Sequence, residues 1–426
     1  MRDLNASFWL LFTGQLTSAI GTASTAVALP LVVLRITGDI VNAGLVAFVV
    51  ACAAIAGKFP GGVLADRLDR RTLMIACDLI RLGGMTALAV ALSMGRANLT
   101  LLMAIGALEG LLGSTFAPAA SAAARQLVDE ASWPRALGLM QVVSAVAMVA
   151  GPLVGGALVL WNPAVPFAFD ATTYLISASC LAAIRRRLRV ADPTEGPFRS
   201  ALTGLRFVAR APFLLYTALN AAVLNLIFNG LLLMLVATST KPGQGSLGTG
   251  IQVAALGAGV LLGSIAAPAL ANRLRPEHEI ALSTAAIAPP MAAFALNPVG
   301  WPSLVLLMLT ASTAPLVNVV VGTYQMRMTP DALQGRVNSA VTLVAMSAAP
   351  LGPILAAITI EAIGIRHAVL IAAGIVVILA AAGWWVSAGQ LTSEKFPSGT
   401  HNETKNEQRD RSGVAHVRAG FLDTQA

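Results

Sequence analysis

Twelve apolar runs, each about as long as a bilayer is thick, dominate this chain. A bilayer core needs about 20 consecutive apolar residues per spanning helix. The chain is 56% hydrophobic and only 11% charged, whereas soluble domains carry about 25% charged residues. We therefore predict an all-α membrane protein with twelve transmembrane helices. The runs cover about 8–34, 42–65, 72–94, 98–124, 136–160, 164–184, 213–237, 248–271, 280–296, 301–326, 337–360 and 367–388.

The first run begins near the N-terminus, as a secretory signal does. From Ser7 to Leu34 it is too long for the apolar core of a signal peptide, and it shows no clear cleavage site. We expect it to be retained as a membrane helix. The three cysteines fall inside apolar runs and the four histidines are scattered, so we expect neither a disulfide framework nor a metal site.

The net charge of +8 could indicate a nucleic-acid partner, but the distribution of the charge argues for membrane topology. Alternate short connections, beginning with the one between runs 2 and 3, hold sixteen Lys and Arg residues. The intervening connections hold four. This asymmetry follows the positive-inside rule. We predict a multi-pass protein of the cell membrane with both termini in the cytoplasm, in contact with lipid and not with nucleic acid.

Two features divide the chain into halves. The connection 185–212 is basic and contains a Pro- and Gly-rich stretch, which predicts a cytoplasmic linker. It separates a six-helix half, 1–184, from a second one, 213–388. The polar segment 389–426 lacks apolar periodicity and is expected to be a disordered cytoplasmic tail.

Weak internal repeats relate the halves to each other. "VLADRL" at 63–68 returns as "ALANRL" at 269–274, which aligns Gly57 with Gly263. "PRALGLMQVVSAVAMVAGP" at 134–152 resembles "GRVNSAVTLVAMSAAPLGP" at 335–353. Repeats of this kind are typical of transporters whose substrate site lies between the two halves near the middle of the membrane. The sequence therefore favours pseudo-symmetric halves around a central site.

A cluster of charges follows the second run, in "GGVLADRLDRR" at 61–71. On a helix, Gly62 and Asp66 share a face. Gly62 would let another helix approach, and Asp66 would favour the N-terminus of that helix. The simpler alternative is a loop that only fixes orientation. Arg67, Arg70 and Arg71 would remain in water or pair with acids.

The same residues resemble the signature of the major facilitator superfamily between helices 2 and 3. The resemblance extends from about residue 8 to 388. It implies that the motif latches the cytoplasmic ends of the two halves, with Asp66 capping a helix that begins near Arg336. The second copy has Asn272 in place of the acid, which implies an asymmetric latch. The latch motif comprises Gly62, Asp66, Arg67, Arg70 and Arg71.

A second motif, Gly151-Pro152-x-x-Gly155-Gly156, resembles the antiporter signature of the same family, which is associated with export. Glycines permit close helix packing, and proline bends the helix and frees a carbonyl. Small-residue packing without a transport role is the alternative. Two further stretches, near residues 13–34 and 323–339, resemble the branch of siderophore exporters and macrolide efflux pumps. The helix 4 arginine of many drug–proton antiporters is absent, since that position is Gly106.

Ionisable residues inside the membrane are costly and need a reason. Glu109 lies in the middle of helix 4 and is a candidate proton carrier or a ligand for a cationic substrate; a static hydrogen bond to a neighbouring helix is the alternative. Asp78 and Arg81 are spaced i, i+3 and are expected to pair. Lys58 is expected to snorkel or to pair with Asp78. Asp170 is expected to be structural.

Neutral polar residues on several helices predict a mildly polar substrate cavity. On helix 1 they form a single stripe, and helices 5, 7 and 10 contribute further residues. Any one of them could instead form an interhelical hydrogen bond. The candidate cavity residues are Gln15, Ser18, Thr22, Thr25, Gln141, Ser144, Asn225, Asn229, Asn318 and Gln325.

Together these features predict a secondary transporter, not an enzyme. We expect export of a small amphipathic compound, such as a drug, secondary metabolite or siderophore, driven by protons through alternating access. No Walker A motif is present, and the G-x-G-x-x-G match at 243–248 lacks its strand. We therefore expect no cofactor, an ion gradient as the energy source, and a monomer. The alternatives are a facilitator or importer of the same fold and, from a different class, a membrane-embedded enzyme or sensor.

Overall fold

The computed structural model describes residues 4–185, 205–270, 276–329 and 333–393, and every regular element within these ranges is helical. Most of the predicted linker, most of the tail and Asn272 lie outside these ranges. The first six long helices are α1 (Ala6–Thr37), α2 (Ile40–Arg67), α3 (Arg70–Ser93), α4 (Leu99–Gln126), α5 (Trp133–Trp161) and α6 (Val165–Ala183). The later ones are α7 (Pro212–Thr238), α8 (Gly245–Leu270), α9 (Pro276–Ala285), α10 (Ala288–Leu296), α11 (Trp301–Ser312), α12 (Ala314–Met328), α13 (Gln334–Ser347) and α14 (Leu351–Ser393).

The predicted all-helical membrane fold is confirmed, and each of the twelve apolar runs is helical. Ten segments are long and apolar enough to cross a membrane, and 280–296 forms a shorter apolar helix pair. The longest of the ten, Gln334–Val386, contains two predicted spans. They are separated at Gly364, whose φ of 81° and ψ of 161° interrupt the helix. A residue other than glycine would be strained in this conformation.

Prolines explain three breaks that lie inside predicted spans. Pro289 is in the first turn of α10, and Pro315 is in the first turn of α12. The third break, at 348–350, precedes α14 and includes Pro350. Proline has no N–H to donate and clashes with the preceding turn, so a helix tends to end before it. These three spans are therefore pairs of short helices.

Side-chain caps explain where the first helices begin. The Oδ1 atom of Asn5 accepts from the Phe8 N–H at 2.9 Å, and Asp39 accepts from the Val41 N–H at 2.8 Å. Asp69 and Asn98 cap α3 and α4 in the same way. Each cap satisfies a backbone donor that would otherwise lack a partner at a helix N-terminus. Polar residues in the short loops thus set the helix boundaries.

The helices pair in the same way in both parts of the chain. α2 packs along α4, α1 packs along α5 and α6, and α8 packs along α11. Glycines make this possible, because a Cβ on Gly57 or Gly263 would collide with backbone of the partner helix, at Leu111 or Ser312 respectively. The principal contact between the first six helices and the later ones is α5 against α8.

The outer surface of the bundle is apolar, as a lipid environment requires. Leucine, isoleucine and valine side chains are exposed along many helices, including Ile265 at 72% and Ile378 at 69%. Exposed tryptophans lie near the ends of the apolar runs, where membrane proteins place them at the water interface. They are Trp9, Trp133, Trp161, Trp301, Trp384 and Trp385.

Candidate functional site

Arg81 on α3 is the centre of a buried ion network among the first six helices. Its Nε atom donates to both carboxylate oxygens of Glu109 on α4, each at 3.0 Å, and its Nη2 atom also contacts Glu109 Oε1. The side chains of Arg81 and Glu109 are 5% and 11% exposed. Guanidinium–carboxylate contacts with several hydrogen bonds are among the strongest ion pairs in proteins. Glu109 is therefore held firmly in this conformation.

Tyr174 on α6 and Thr22 on α1 complete the network. The Tyr174 hydroxyl donates to Glu109 Oε1 at 2.8 Å and lies 2.8 Å from the Thr22 hydroxyl. Arg81 Nη2 donates to the same threonine at 3.0 Å. The guanidinium also lies over the tyrosine ring, 4.1 Å from its centroid, in a cation–π contact. The Arg81 guanidinium on α3 therefore contacts side chains from three other helices, α1, α4 and α6.

Small residues on α4 create the space for this network. A Cβ on Gly113 would lie 3.6 Å from Arg81 Nη2, and one on Gly110 would collide with the backbone of α2 at Val50. A Cβ on Gly106 would meet the side chains of Val50 on α2 and Leu29 on α1. The glycines let α2 approach one side of α4 while the arginine lies along another.

Two further acids lie close to the network, so it contains more negative than positive groups. Asp78 is fully buried, and its Oδ1 atom lies 3.9 Å from Arg81 Nη1. Asp170, also fully buried, accepts hydrogen bonds from Thr25 at 2.8 Å and Thr173 at 3.1 Å. One guanidinium thus faces three carboxyl groups. Protonation of one or more of these acids would balance the charge.

The structure agrees with one of the pairings expected from the sequence and differs from another. Asp78 pairs with Arg81 at 3.9 Å, as expected, but the principal partner of Arg81 is Glu109 on the neighbouring helix. Lys58 does not reach Asp78; its Nζ atom contacts the Met346 sulfur instead. The expectations relied on spacing within one helix or on depth. Spacing within one helix does not reveal contacts between helices. Arg81 on α3 and Glu109 on α4 are 28 positions apart in the sequence.

Two adjoining cavities lie beside this network. The first, of about 350 Å³, lies between α1 and α2 on one side and α7, α13 and α14 on the other. The second, of about 240 Å³, lies among α1 to α4 and α6, and its wall includes Arg81 and Glu109. Ala26, Leu29 and Val50 line both. The ion network is therefore separated from the interface between the halves by one layer of apolar side chains.

The structure brings only some of the predicted cavity residues to these cavities. Thr22 and Thr25 line the second cavity, and Asn225 and Asn229 line the first. α1 packs along α5 and α6 for most of its length, and only the C-terminal part of its polar stripe lines one of these cavities. The residues that line neither are Gln15, Ser18, Gln141, Ser144, Asn318 and Gln325.

The glycine–proline motif of α5 is a packing surface with two sides. A Cβ on Gly151 or Gly155 would collide with α1, at Ala23 and Ser24. A Cβ on Gly156 would collide with α8 at Ser246 and Gly250. The motif thus fixes α5 against its own half and against the other one. Its small residues have the packing role expected from the sequence, at the principal contact between the halves.

The expected latch is not formed in this conformation. Asp66 is exposed and makes no hydrogen bond or ion pair with any described residue, so it does not cap α13. Nothing lies within 4 Å of the position of a Cβ on Gly62. The close approach expected there occurs instead at Gly57 and Gly61, which face α4. The reason is that the glycine face of α2 is occupied by a helix of its own half.

The arginines of the same motif do not simply point into water. Arg71 donates from Nε to the Leu181 carbonyl at 2.8 Å and from Nη2 to the Ala182 carbonyl at 2.5 Å. It therefore caps the C-terminus of α6, where positive charge is favoured. Arg70 is buried and donates to the Ala65 carbonyl at 3.3 Å. Arg67 is exposed, as expected.

A bundle of apolar helices that encloses cavities and a buried ion network has the organisation of a membrane transporter. Residues 11–350 match the model of the Major Facilitator Superfamily. Because this match covers well over half of the sequence, the chain belongs to that superfamily. Its members are transporters, and the chain is accordingly not an enzyme. The resemblance noted in the loop after α2 is thereby confirmed.

Similar proteins support the same assignment. The enterobactin exporter EntS of Escherichia coli O1:K1 / APEC is 24% identical over 341 residues, which cover 78% of this chain and 80% of EntS. EntS of Citrobacter koseri is 23% identical over the same shares. Among solved structures, the nucleoside transporter NupG matches with a TM-score of 0.74 at 13% identity, over 89% of this chain and 98% of NupG. A bacterial homologue of the iron transporter ferroportin in its inward-facing state matches with a TM-score of 0.69 at 16% identity, over 90% and 99%.

Proposed function

We propose that this protein exports a small amphipathic compound across the cell membrane in exchange for protons. The observation that carries the proposal is the acid-rich network around Arg81, which lines one cavity and adjoins another. A buried ionisable group in a membrane protein is a candidate part of a proton path. The absence of a nucleotide-binding motif in the sequence favours an ion gradient as the energy source.

The direction of transport is supported by two independent features. The similar curated proteins are named as exporters of enterobactin, a siderophore. The glycine–proline motif of α5 resembles the signature associated with export in this superfamily. The alternative is a facilitator or importer of the same fold, and the direction of flux distinguishes it from an exporter.

Glu109 is the proposed proton-coupling residue, with Asp78 as the alternative. The Glu109 carboxylate accepts hydrogen bonds from Arg81 on both of its oxygen atoms and also accepts one from Tyr174. A proton on Glu109 removes the charge that holds Arg81. The arginine is then free to turn towards Asp78, whose Oδ1 atom is already 3.9 Å from it. Protonation of Glu109 thereby changes which of the first six helices are linked through hydrogen bonds of the Arg81 guanidinium.

The contacts between the halves support transport by alternating access. With both termini in the cytoplasm, the α5–α8 contact at Gly156 and Gly250 lies towards the outside, and Asp66 lies at the inside. The present conformation then corresponds to one in which the latch is released. Capping of α13 by Asp66 belongs to the opposite, outward-open conformation. A cysteine at Gly245 is expected to react with an impermeant reagent outside intact cells, and one at Asp69 is not.

The proposal is tested by uptake of enterobactin and of a panel of amphipathic drugs into inside-out vesicles that carry a proton gradient. Glu109→Gln keeps the shape of the side chain and its ability to accept from Arg81 but removes its charge. We expect this variant to exchange substrate downhill and to lose uphill uptake. Glu361→Gln makes the same change at an exposed acid and serves as the matched control.

Each result has a definite meaning. Uphill uptake that is abolished by an uncoupler and by Glu109→Gln supports the proposal. Uphill uptake at the wild-type level in Glu109→Gln assigns coupling elsewhere, and Asp78→Asn is then the variant to compare. Uptake into right-side-out vesicles alone indicates an importer.

A further inference from the structure

Among the described residues that line the first cavity, Lys58 is the one cationic side chain and none is an acid. Lys58 lies on α2, is exposed to the cavity, and faces α13 of the other half. Its contact within the described residues is the sulfur of Met346. A thioether is only a weak acceptor for an ammonium group. A cation that lines a cavity between membrane helices is a candidate functional group.

The acceptors that would otherwise stabilise Lys58 already have partners. At the end of α13, the Ala345 carbonyl accepts from Asn225 at 3.1 Å and the Met346 carbonyl accepts from the Ala349 N–H at 3.2 Å. The Val344 carbonyl accepts from Ser347 at 2.8 Å. The ammonium group therefore meets a helix end whose carbonyls each already accept a hydrogen bond.

The acids of the adjoining network do not pair with Lys58. Glu109 is bound by Arg81 and Tyr174. Asp78 and Asp170 are fully buried and line neither cavity. The charged group that faces the first cavity is thus a cation whose compensation must come from water or from a bound anion.

Two amides beside Lys58 add acceptors to the site. Asn225 and Asn229 each donate from Nδ2 to backbone carbonyls, at 2.9 Å to Ala221 and 2.8 Å to Asn225 respectively. Their side-chain oxygens make no hydrogen bond with the described residues, and both asparagines line the cavity. Since Asn225 and Lys58 contact the neighbouring residues Ala345 and Met346, the amide and the ammonium lie close together. The rest of the wall is mainly aliphatic.

We infer that the first cavity binds an amphipathic organic anion that also carries a hydrogen-bond donor, with Lys58 as the residue that binds the anionic group. The apolar body of the ligand would fill the aliphatic part of the cavity, and its hydroxyl or N–H group would donate to an asparagine oxygen. This inference rests on the proposed transport function and names its substrate class. It predicts selection against compounds whose only charge is positive.

Equilibrium binding to the purified full-length protein in detergent, without any gradient, tests the inference. The probes are 6-hydroxy-2-naphthoate, its uncharged methyl ester, and the cation 2-naphthylmethylammonium. We expect the anion to bind at least about tenfold more tightly than the ester, the size of one charge-assisted hydrogen bond. Lys58→Gln should remove this preference and Lys58→Arg should keep it. Lys241→Gln, outside both cavities, is the matched control.

Several results would overturn the inference. They are equal affinity for the three probes, no binding of any probe, tighter binding of the cation, and an anion preference that survives in Lys58→Gln. If Lys58→Gln does not fold, Asn229→Leu replaces it, and the anion should then lose affinity relative to its unhydroxylated analogue 2-naphthoate. Binding of the anion without gradient-driven uptake would leave the inference intact and would contradict the proposed function. Gradient-driven uptake of cations alone would support the proposed function and would contradict the inference.

Discussion

The two halves of the protein share their packing but differ in the chemistry of their interiors. In the first six helices, Arg81 connects with Glu109, Tyr174 and Thr22 in a charged network. In the later helices, the buried polar groups among the described residues are neutral. Gln252 donates to the Pro298 carbonyl at 2.7 Å and accepts from Thr238 at 3.0 Å, and Asn220 donates to Thr284 at 3.4 Å.

This difference shows which features a duplicated architecture retains. Gly57 and Gly263 occupy matching positions in the repeat, and each faces the backbone of its partner helix. Gly151 and Gly352 match as well, one against α1 and the other against α7. Close packing is a requirement of both halves. Proton coupling, as proposed here, needs an ion network in only one of them.

Removal of the cation from the charged half should have the largest effect on stability. Arg81→Met leaves Glu109, Asp78 and Asp170 buried without it, and loss of one partner from a buried ion pair costs about 3–5 kcal/mol. We expect a large fall in the thermal unfolding midpoint in detergent, or little folded protein. Arg96→Met, at an exposed arginine, is the control. Equal midpoints for the two variants would show that the network contributes no stability.

Disruption of the shared packing should affect both halves alike. Gly57→Val and Gly263→Val each place a side chain against partner backbone, and overpacking of this kind costs about 1–3 kcal/mol. The unfolding midpoints of the two variants should fall by similar amounts. Gly62→Val, where nothing lies within 4 Å, should leave the midpoint unchanged. A fall in the unfolding midpoint of only one of these two variants would contradict the proposed equivalence of the glycines.

Loss of a neutral hydrogen bond in the later helices should cost less. Thr284→Val keeps the shape of the side chain and removes the acceptor of Asn220, so we expect a loss of about 0.5–1.5 kcal/mol. Thermal unfolding alongside Arg81→Met measures the contrast between the halves directly. A loss as large as that of Arg81→Met would show that the two interiors are equally sensitive.

The smallest effect on stability is expected at Asp66, which is exposed and makes no contact with a charged or polar partner among the described residues. Asp66→Ala should unfold at the wild-type temperature yet transport poorly, because the opposite conformation would lack its anionic cap. Vesicle uptake and thermal unfolding on the same preparation separate the two properties. Full transport by this variant would reduce the motif to a topology signal.

The helices could be predicted with confidence from local patterns, but their breaks and pairings were harder. Hydropathy identified all twelve runs, and caps such as Asn5 and Asp39 agree with them. Among the candidate cavity residues, Thr22, Thr25, Asn225 and Asn229 line one of the two cavities described above, and the other six line neither. A helical stripe indicates which residues share a face. It does not indicate which neighbouring helix covers that face.

The sequence by itself determined the number of spans, the two halves and the family, because length, hydropathy and short motifs are local properties of the chain. The tertiary structure alone decided that Glu109 binds Arg81, that Tyr174 covers the guanidinium, and that Lys58 faces a cavity whose described lining residues include no acid. These contacts join residues 28, 93 and 288 positions apart. Such pairings depend on how closely glycine-lined helices approach each other, and that is fixed only when the whole bundle packs.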